Sequence, residues 1–353
     1  MKRDQYMGLD VHQATTVVSV IDAEGKRVLE TMVATEAGPL RRLMDSMSGP
    51  LHVTLEECGQ AAWVHEVVRT QVAEVVVCDP RRNKLLLDGS KADRVDARKL
   101  AELLRGGLLR SVYHGHEETR TLKQLVRAYE TFSVDTNRAM VRIKALYRGR
   151  GIRTPGSSVY QEKQRSEWLK QLADPGMQQR AEWLYAQLDQ VRQLRKQAKA
   201  GVVSEGRRHD AVRLLRTIPQ LGPVRAALIV ATADTPYRFR TKRQFWAYSG
   251  LAVVTHASAE YVLDQDQLVR RRKPAATRGL NRNCNRRLKS VFITAATAGV
   301  HTELYRAYLD SLQQRGIRPE MARLTLARKI ATLALTLWKK GETFDPEKVN
   351  WTI

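Results

Sequence analysis

The sequence predicts an α/β domain joined to a mostly helical remainder: a mixed sheet with helices on its faces, then long helices, then a helical C-terminal domain. Three observations carry this. Apolar and β-branched runs alternate with helical spacings over residues 1–110. A seven-residue apolar repeat then takes over from Leu122. The charge also divides the chain: residues 1–110 hold 16 basic and 16 acidic residues, so the whole net charge of +23 lies on residues 111–353. The expected division is 1–112, 113–207 and 208–353.

The N-terminal elements follow in order. "YMGLDV" is a short apolar strand, "TTVVSVID" is β-branched, "AEG" turns, and "KRVLETMVA" returns, which reads as a hairpin. "AGPLRRLMDSM" has helical spacing, "LHVTLEE" is a strand, "AAWVHEVVRTQV" a helix and "EVVVCDP" a strand. "DRVDARKLAELLRGG" is a helix ending at Gly106 and Gly107. An antiparallel meander followed by αβ crossovers is a mixed sheet covered by helices. The order β-β-β-α-β-α-β-α is the one expected of a ribonuclease H-like (RuvC-like) nuclease fold.

Leu122, Tyr129, Thr136 and Ile143 repeat every seven residues, as do Leu125, Phe132, Ala139 and Leu146. This predicts a long helix with a coiled-coil seam, broken by "GRGIRTPGSS" and followed by a second long helix over 178–204. The seam suits a helical hairpin within the chain and oligomerisation equally. "LLRTIPQLGPVRAALIV" resembles a helix-hairpin-helix, with Gln220 where such turns often carry glycine, and an ordinary αα-corner is the alternative. "EMARLTLARKIATLALTLWKKG" closes the chain as an apolar helix stopped by Gly341.

The bulk numbers limit function. A hydrophobic fraction of 43% supports a core. No apolar run approaches the ~20 residues that span a bilayer, and the N-terminus lacks an apolar signal core. Three widely spaced cysteines form neither a disulfide framework nor a CxxC pair, which fits a reducing cytoplasm. With 60 Lys and Arg against 37 Asp and Glu, and no basic helix with an aromatic membrane face, the expected partner is nucleic acid rather than membrane. The window Arg270–Lys289 holds nine basic residues and no acidic one. Arg270, Arg271, Arg272, Lys273, Arg278, Arg282, Arg286, Arg287 and Lys289 are expected to contact phosphates, with the interspersed asparagines able to bond phosphates or base edges.

Carboxylates supply the candidate chemistry. Asp93 and Asp96 share one helical face at i, i+3, where like charges repel unless a cation lies between them. Asp10 ends the first strand, and Glu56 and Glu57 end a later one. In a ribonuclease H-like sheet these places converge at one edge, where four carboxylates would bind two Mg²⁺ ions, with Mn²⁺ a possible substitute. His12, His114, His116 and His256 match no common zinc-ligand spacing and are expected to be structural or peripheral.

"GLDVH", "LEECG" and "KADRVDARKLAELL" resemble the Asp-Glu-Asp-Asp signature of a family of bacterial insertion-sequence transposases whose N-terminal domain is similar to the RuvC-type Holliday-junction resolvase. The segments from "LLRTIPQLG" to "HASAEY", and "RGLNRNCNRRLKSVFITAA", resemble that family's C-terminal transposase domain. The resemblance implies a DNA recombinase acting on donor and target DNA and guided by a structured bridge RNA that its insertion sequence encodes. It implies Asp10, one of Glu56 and Glu57, Asp93 and Asp96 as acidic ligands. The family's Glu-x-x-Gly pattern points to Glu56, and spacing to Trp63 to Glu57. It also implies a serine nucleophile, matched by Ser258 in "SGLAVVTHASAEY", where Val253 replaces the usual proline and Ala259 the usual glycine. Ser249 is the poorer match. Ser258 lies far in sequence from the carboxylates, which leaves assembly of the site between domains or between subunits open. A homo-oligomer, dimer or tetramer, in the bacterial cytoplasm at the nucleoid is the corresponding expectation. The competing readings are a metal-dependent junction nuclease without a protein–DNA adduct, and a non-catalytic nucleic-acid-binding protein.

Overall fold

The structure is a computed structural model, and it describes residues 4–80, 93–115, 117–256, 261–264, 267–270, 276–349 and 351. The chain divides into two compact units, Met1–Gly115 and His116–Ile353.

The first unit follows the element order read from the sequence. Strands β1 (Gln5–Val11), β2 (Thr15–Asp22) and β3 (Arg27–Ala34) form the meander, followed by α1 (Ala37–Asp45), β4 (Leu51–Glu56), α2 (Ala61–Val68), β5 (Glu74–Cys78) and α3 (Asp93–Arg105). The sheet order is β3-β2-β1-β4-β5. β1–β2 and β2–β3 are antiparallel, while β1–β4 and β4–β5 are parallel. This is the ribonuclease H-like arrangement. Side chains alternate across it. Met7, Leu9, Val18, Val20, Val53 and Leu55 enter a core shared with Leu40 and Leu43 of α1 and Val64 and Val68 of α2.

The opposite face takes α3, and Gly8 decides how closely. Gly8 pairs with Ser19 on one side and Thr54 on the other, so three small residues line up across the sheet. A Cβ at Gly8 would overlap the Ala97 carbonyl and lie 2.8 Å from Ala101 N and 2.9 Å from Leu100 Cβ. The helix backbone therefore rests on the strand itself, two residues before Asp10. Ala97, Leu100, Ala101 and Leu104 form its buried stripe.

The second unit is mostly helical. Its helices are α4 (Arg120–Arg148), α5 (Arg165–Lys170), α6 (Pro175–Gly206), α7 (Asp210–Leu215), α8 (Pro223–Ala233), α9 (Lys242–Tyr248), α10 (Arg286–Ala298), α11 (Glu303–Gln314) and α12 (Pro319–Lys340). The short strands β6 (Val253–His256) and β9 (Ala276–Leu280) pair, as do β7 (Tyr261–Asp264) and β8 (Gln267–Arg270).

Most of the heptad positions pack within the chain. Ala139, Ile143 and Leu146 of α4 pack with Ala181, Tyr185 and Leu188 of α6. Leu122 and Val126, with Val202 of α6, belong to the core formed by α7 to α12. Helix α6 begins earlier than its apolar stripe suggests, because Asp174 caps it, accepting a 2.7 Å hydrogen bond from Met177 N, and Pro175 occupies the first turn. In the turn between α7 and α8, Gln220 adopts φ 65°, the left-handed conformation glycine would take without strain. Its Nε2 donates to Thr302 Oγ1 at 2.8 Å and its carbonyl accepts from Arg225 at 2.8 Å, which holds the turn. Gly341 ends α12 with φ 69°.

Candidate active site

The acidic edge follows from strand parity. Gly8 and Asp10 lie on the α3 face of β1, and Thr54 and Glu56 on the same face of the adjacent parallel strand. Leu9 pairs with Leu55, so one residue further Asp10 and Glu56 stand side by side. Helix α3 crosses this face with Asp93 and Asp96 in its first turn. The four carboxylates thus come from two neighbouring strand ends and one helix start.

The carboxylates influence one another electrostatically. The Asp10 carboxyl is raised above its ordinary value by burial, with Asp93 and Asp96 adding to the rise and His12 opposing it. Glu56 is raised by burial, then by Asp10 and Asp96. Glu56 also neighbours Cys78 across the β4–β5 pairing; burial first and the Glu56 carboxylate second push that thiol up to about 12. Cys78 is therefore a protonated, inert wall of the site.

Glu57 points elsewhere. Its carboxylate lies 2.9 Å from His114 Nε2, and its backbone N–H donates to Cys78 O at 2.8 Å. The imidazole of His114 stacks on that of His65, with ring centroids 5.2 Å apart.

His12 is the residue the sequence reading passed over. Its Nε2 lies 3.1 Å from Asp10 Oδ2 and 3.5 Å from Asp93 Oδ2. The signal was strand parity, not ligand spacing: positions 8, 10 and 12 continue one face past the end of β1.

Comparison with known proteins places this edge in context. A DEDD transposase family model of the IS110 type matches residues 7–149, which include all four carboxylates. A second model, described as transposase of the IS116/IS110/IS902 family, matches residues 212–310. The chain carries the two domains of an IS110-family insertion-sequence transposase. A Sinorhizobium fredii protein described as "Putative transposase y4pF/y4sB" is 25% identical over 343 residues, covering 93% of this chain and 84% of that relative.

Transposases of this family cut and recombine DNA, and DEDD-type domains usually use divalent metals. The donor set here fits such an ion. Carboxylate oxygens are the ligands hard cations take, and Asp10 and Glu56 are raised first by burial and then by the neighbouring carboxylates, with His12 opposing the rise at Asp10.

In the second part of the transposase, Ser258, Arg271, Arg272 and Lys273 lie outside the described residues. Arg270 ends β8 and Arg278 lies within β9. Arg282 and Arg286 are exposed. Arg287 is also exposed, but its guanidinium meets Glu130 Oε2 at 3.1 Å. Two of the three asparagines of this segment, Asn281 and Asn285, bond protein backbone. Asn285 caps α10 through Arg287 N and Leu288 N, and Asn281 accepts from Asn283 N while donating to Ala247 O and Asn283 O. Ser249, the alternative serine, is fully buried, and its Oγ has no hydrogen-bond partner among the described residues. No described helix is long and apolar enough to cross a membrane.

Proposed function

We propose that this transposase breaks and rejoins DNA strands through a serine–DNA intermediate at a metal-assisted site, directed to donor and target DNA by a bridge RNA. The observation that carries the metal part is the convergence of Asp10, Glu56, Asp93 and Asp96 on the α3 face of the sheet edge. The serine and the RNA rest on the family resemblance of "SGLAVVTHASAEY" and of the chain as a whole.

When bound, two divalent ions, Mg²⁺ with Mn²⁺ as substitute, would supply Lewis-acid activation of the attacking oxygen and stabilise the leaving one. Asp10 and Glu56, fixed on neighbouring strands, would hold the ions together with Asp93 and Asp96 from the first turn of α3. The parity that admits Glu56 turns Glu57 toward His114, which favours Glu56 as the ligand. Ser258 Oγ attacks the phosphodiester; an O–P bond to serine forms, and one P–O bond to a sugar breaks. A strand-end hydroxyl then attacks the phosphoserine, which releases the serine and rejoins DNA. The basic residues of 270–289 hold DNA or RNA phosphates.

We read residues 1–112 as the carboxylate-bearing domain, 113–207 as the long helices, and 208–353 as the part bearing the serine and the basic surface. A homo-oligomer acting at the bacterial nucleoid completes the reading.

The test is an adduct assay. The protein is co-expressed with its flanking non-coding transcript and incubated with labelled donor and target DNA in Mg²⁺. On a denaturing gel, label should migrate with wild-type protein and be lost in both Ser258→Ala and Asp93→Ala. Cleavage without adduct, unchanged in Ser258→Ala, would replace this mechanism with a junction-type nuclease.

A further inference from the structure

The carboxylate edge contains one nitrogen donor. Among the described residues, Asp10, His12 and Asp93 form a group whose ligand atoms all lie within 4.8 Å of one another. We propose that His12 is itself a ligand, so that the ion beside Asp10 and Asp93 sits in a mixed oxygen–nitrogen set and this chain prefers Mn²⁺ to Mg²⁺ there. The inference rests on the reading of the four carboxylates as a metal site.

The distances fit coordination. Two donors at right angles around an octahedral ion, each about 2.1 Å away, stand about 3.0 Å apart. His12 Nε2 lies 3.1 Å from Asp10 Oδ2 and 3.5 Å from Asp93 Oδ2, close to two such edges. Imidazole Nε2 carries at most one proton, which points along one direction, whereas an ion held among three donors satisfies both carboxylates.

The residue is also placed in advance. His12 N donates to Thr15 O at 3.0 Å, and its carbonyl accepts from Thr35 Oγ1 at 3.0 Å. Thr35 Oγ1 is in turn 2.9 Å from Thr16 Oγ1 in a buried pair. These bonds fix the backbone just beyond β1, so the imidazole starts from a defined position. A preset ligand loses less freedom on binding.

Metal choice follows from ligand type. Mg²⁺ takes oxygen donors and holds its waters tightly, while transition ions accept imidazole more readily. A nitrogen at this position therefore shifts selectivity toward Mn²⁺ without excluding Mg²⁺.

The test uses the full chain without a histidine tag, titrated with MnCl₂ and read by pulsed electron paramagnetic resonance. Wild type should show a ¹⁴N modulation from a directly bound imidazole. His12→Gln should lose it while still binding Mn²⁺, with Mn²⁺ affinity falling about tenfold and Mg²⁺ affinity by less than about threefold. The His12 side chain is 47% exposed, so the variant should melt with the wild type, which separates ligand loss from misfolding. A bound Mn²⁺ with no ¹⁴N modulation, or one that persists in His12→Gln, overturns the assignment and leaves the carboxylate site standing. Mn²⁺ binding that survives in both Asp10→Asn and Asp93→Asn overturns the metal reading itself.

Discussion

The acidic edge of the first unit and the basic segment 270–289 of the second handle charge in opposite ways. At the acidic edge, strand parity and the close docking of α3 half-bury carboxylates side by side, and Asp10 and Glu56 resist ionising, first through burial and then through the neighbouring carboxylates. In the basic segment, Arg282 and Arg286 are exposed, Arg287 is partly neutralised by Glu130, and Asn285 caps α10. The contrast separates two kinds of site. On the proposed reading, one concentrates charge at a fixed point for a small, strongly charged ligand. On the same reading, the other spreads charge for a long polyanion.

Breaking the concentrated site should have the largest effect. Asp10→Asn or Asp93→Ala should lower strand cleavage roughly 10²- to 10³-fold or more, as removal of a main transition-state stabiliser does. Glu57→Gln should leave it within about threefold, because its carboxylate faces His114 rather than the edge. Rates on labelled DNA decide this, and equal losses at both glutamates would contradict the parity argument.

Gly8→Ala tests how the edge is held. The added methyl would overlap the Ala97 carbonyl, so α3 must move. The first unit should lose about 1–3 kcal/mol, measured by denaturant unfolding. Metal affinity should fall with it, since Asp93 and Asp96 ride on the displaced helix.

The diffuse surface should respond in smaller, additive steps. Arg282→Ala and Arg286→Ala should each reduce the slope of log affinity against log salt by about one, with little change in sequence preference. Arg287→Ala should reduce it less, because Glu130 already shares its charge. Filter binding at several salt concentrations reads this directly.

The smallest effect concerns stability. A carboxyl whose folded pKa lies above its unfolded value contributes stability that is present below the unfolded pKa and lost as pH rises through the folded one. Asp10 and Glu56 are both of this kind. The metal-free protein should therefore melt at a lower temperature at neutral than at mildly acidic pH, and Glu56→Gln should flatten part of that dependence. Added Mn²⁺ should restore the neutral-pH melting temperature of wild type more than that of Glu56→Gln.

Much of this was readable in advance, for definite physical reasons. Period-two apolar runs and helical stripes give the N-terminal element order, because one face of each element must be buried. The carboxylates stand out because strand ends and a helix start converge in that order. Gly341 marks the end of α12 because a left-handed residue is needed there. His12 was missed because it lies past the strand end, where ligand spacing gives no signal but alternation still does. The partner of the α4 seam was not legible, since a heptad repeat reports an apolar stripe and not what covers it. The role of Asn281 and Asn285 was equally hidden: an asparagine that caps a helix and one that meets a phosphate look alike in sequence. Strands β6 to β9 are four or five residues long, too short to show a period.

The most direct test of the metal site is an anomalous difference map from crystals of the transposase soaked in Mn²⁺. The account predicts density between Asp10, Glu56, Asp93 and Asp96, with Glu57 turned toward His114. Density at Glu57, or none at the edge while Mn²⁺ binds elsewhere, would contradict it.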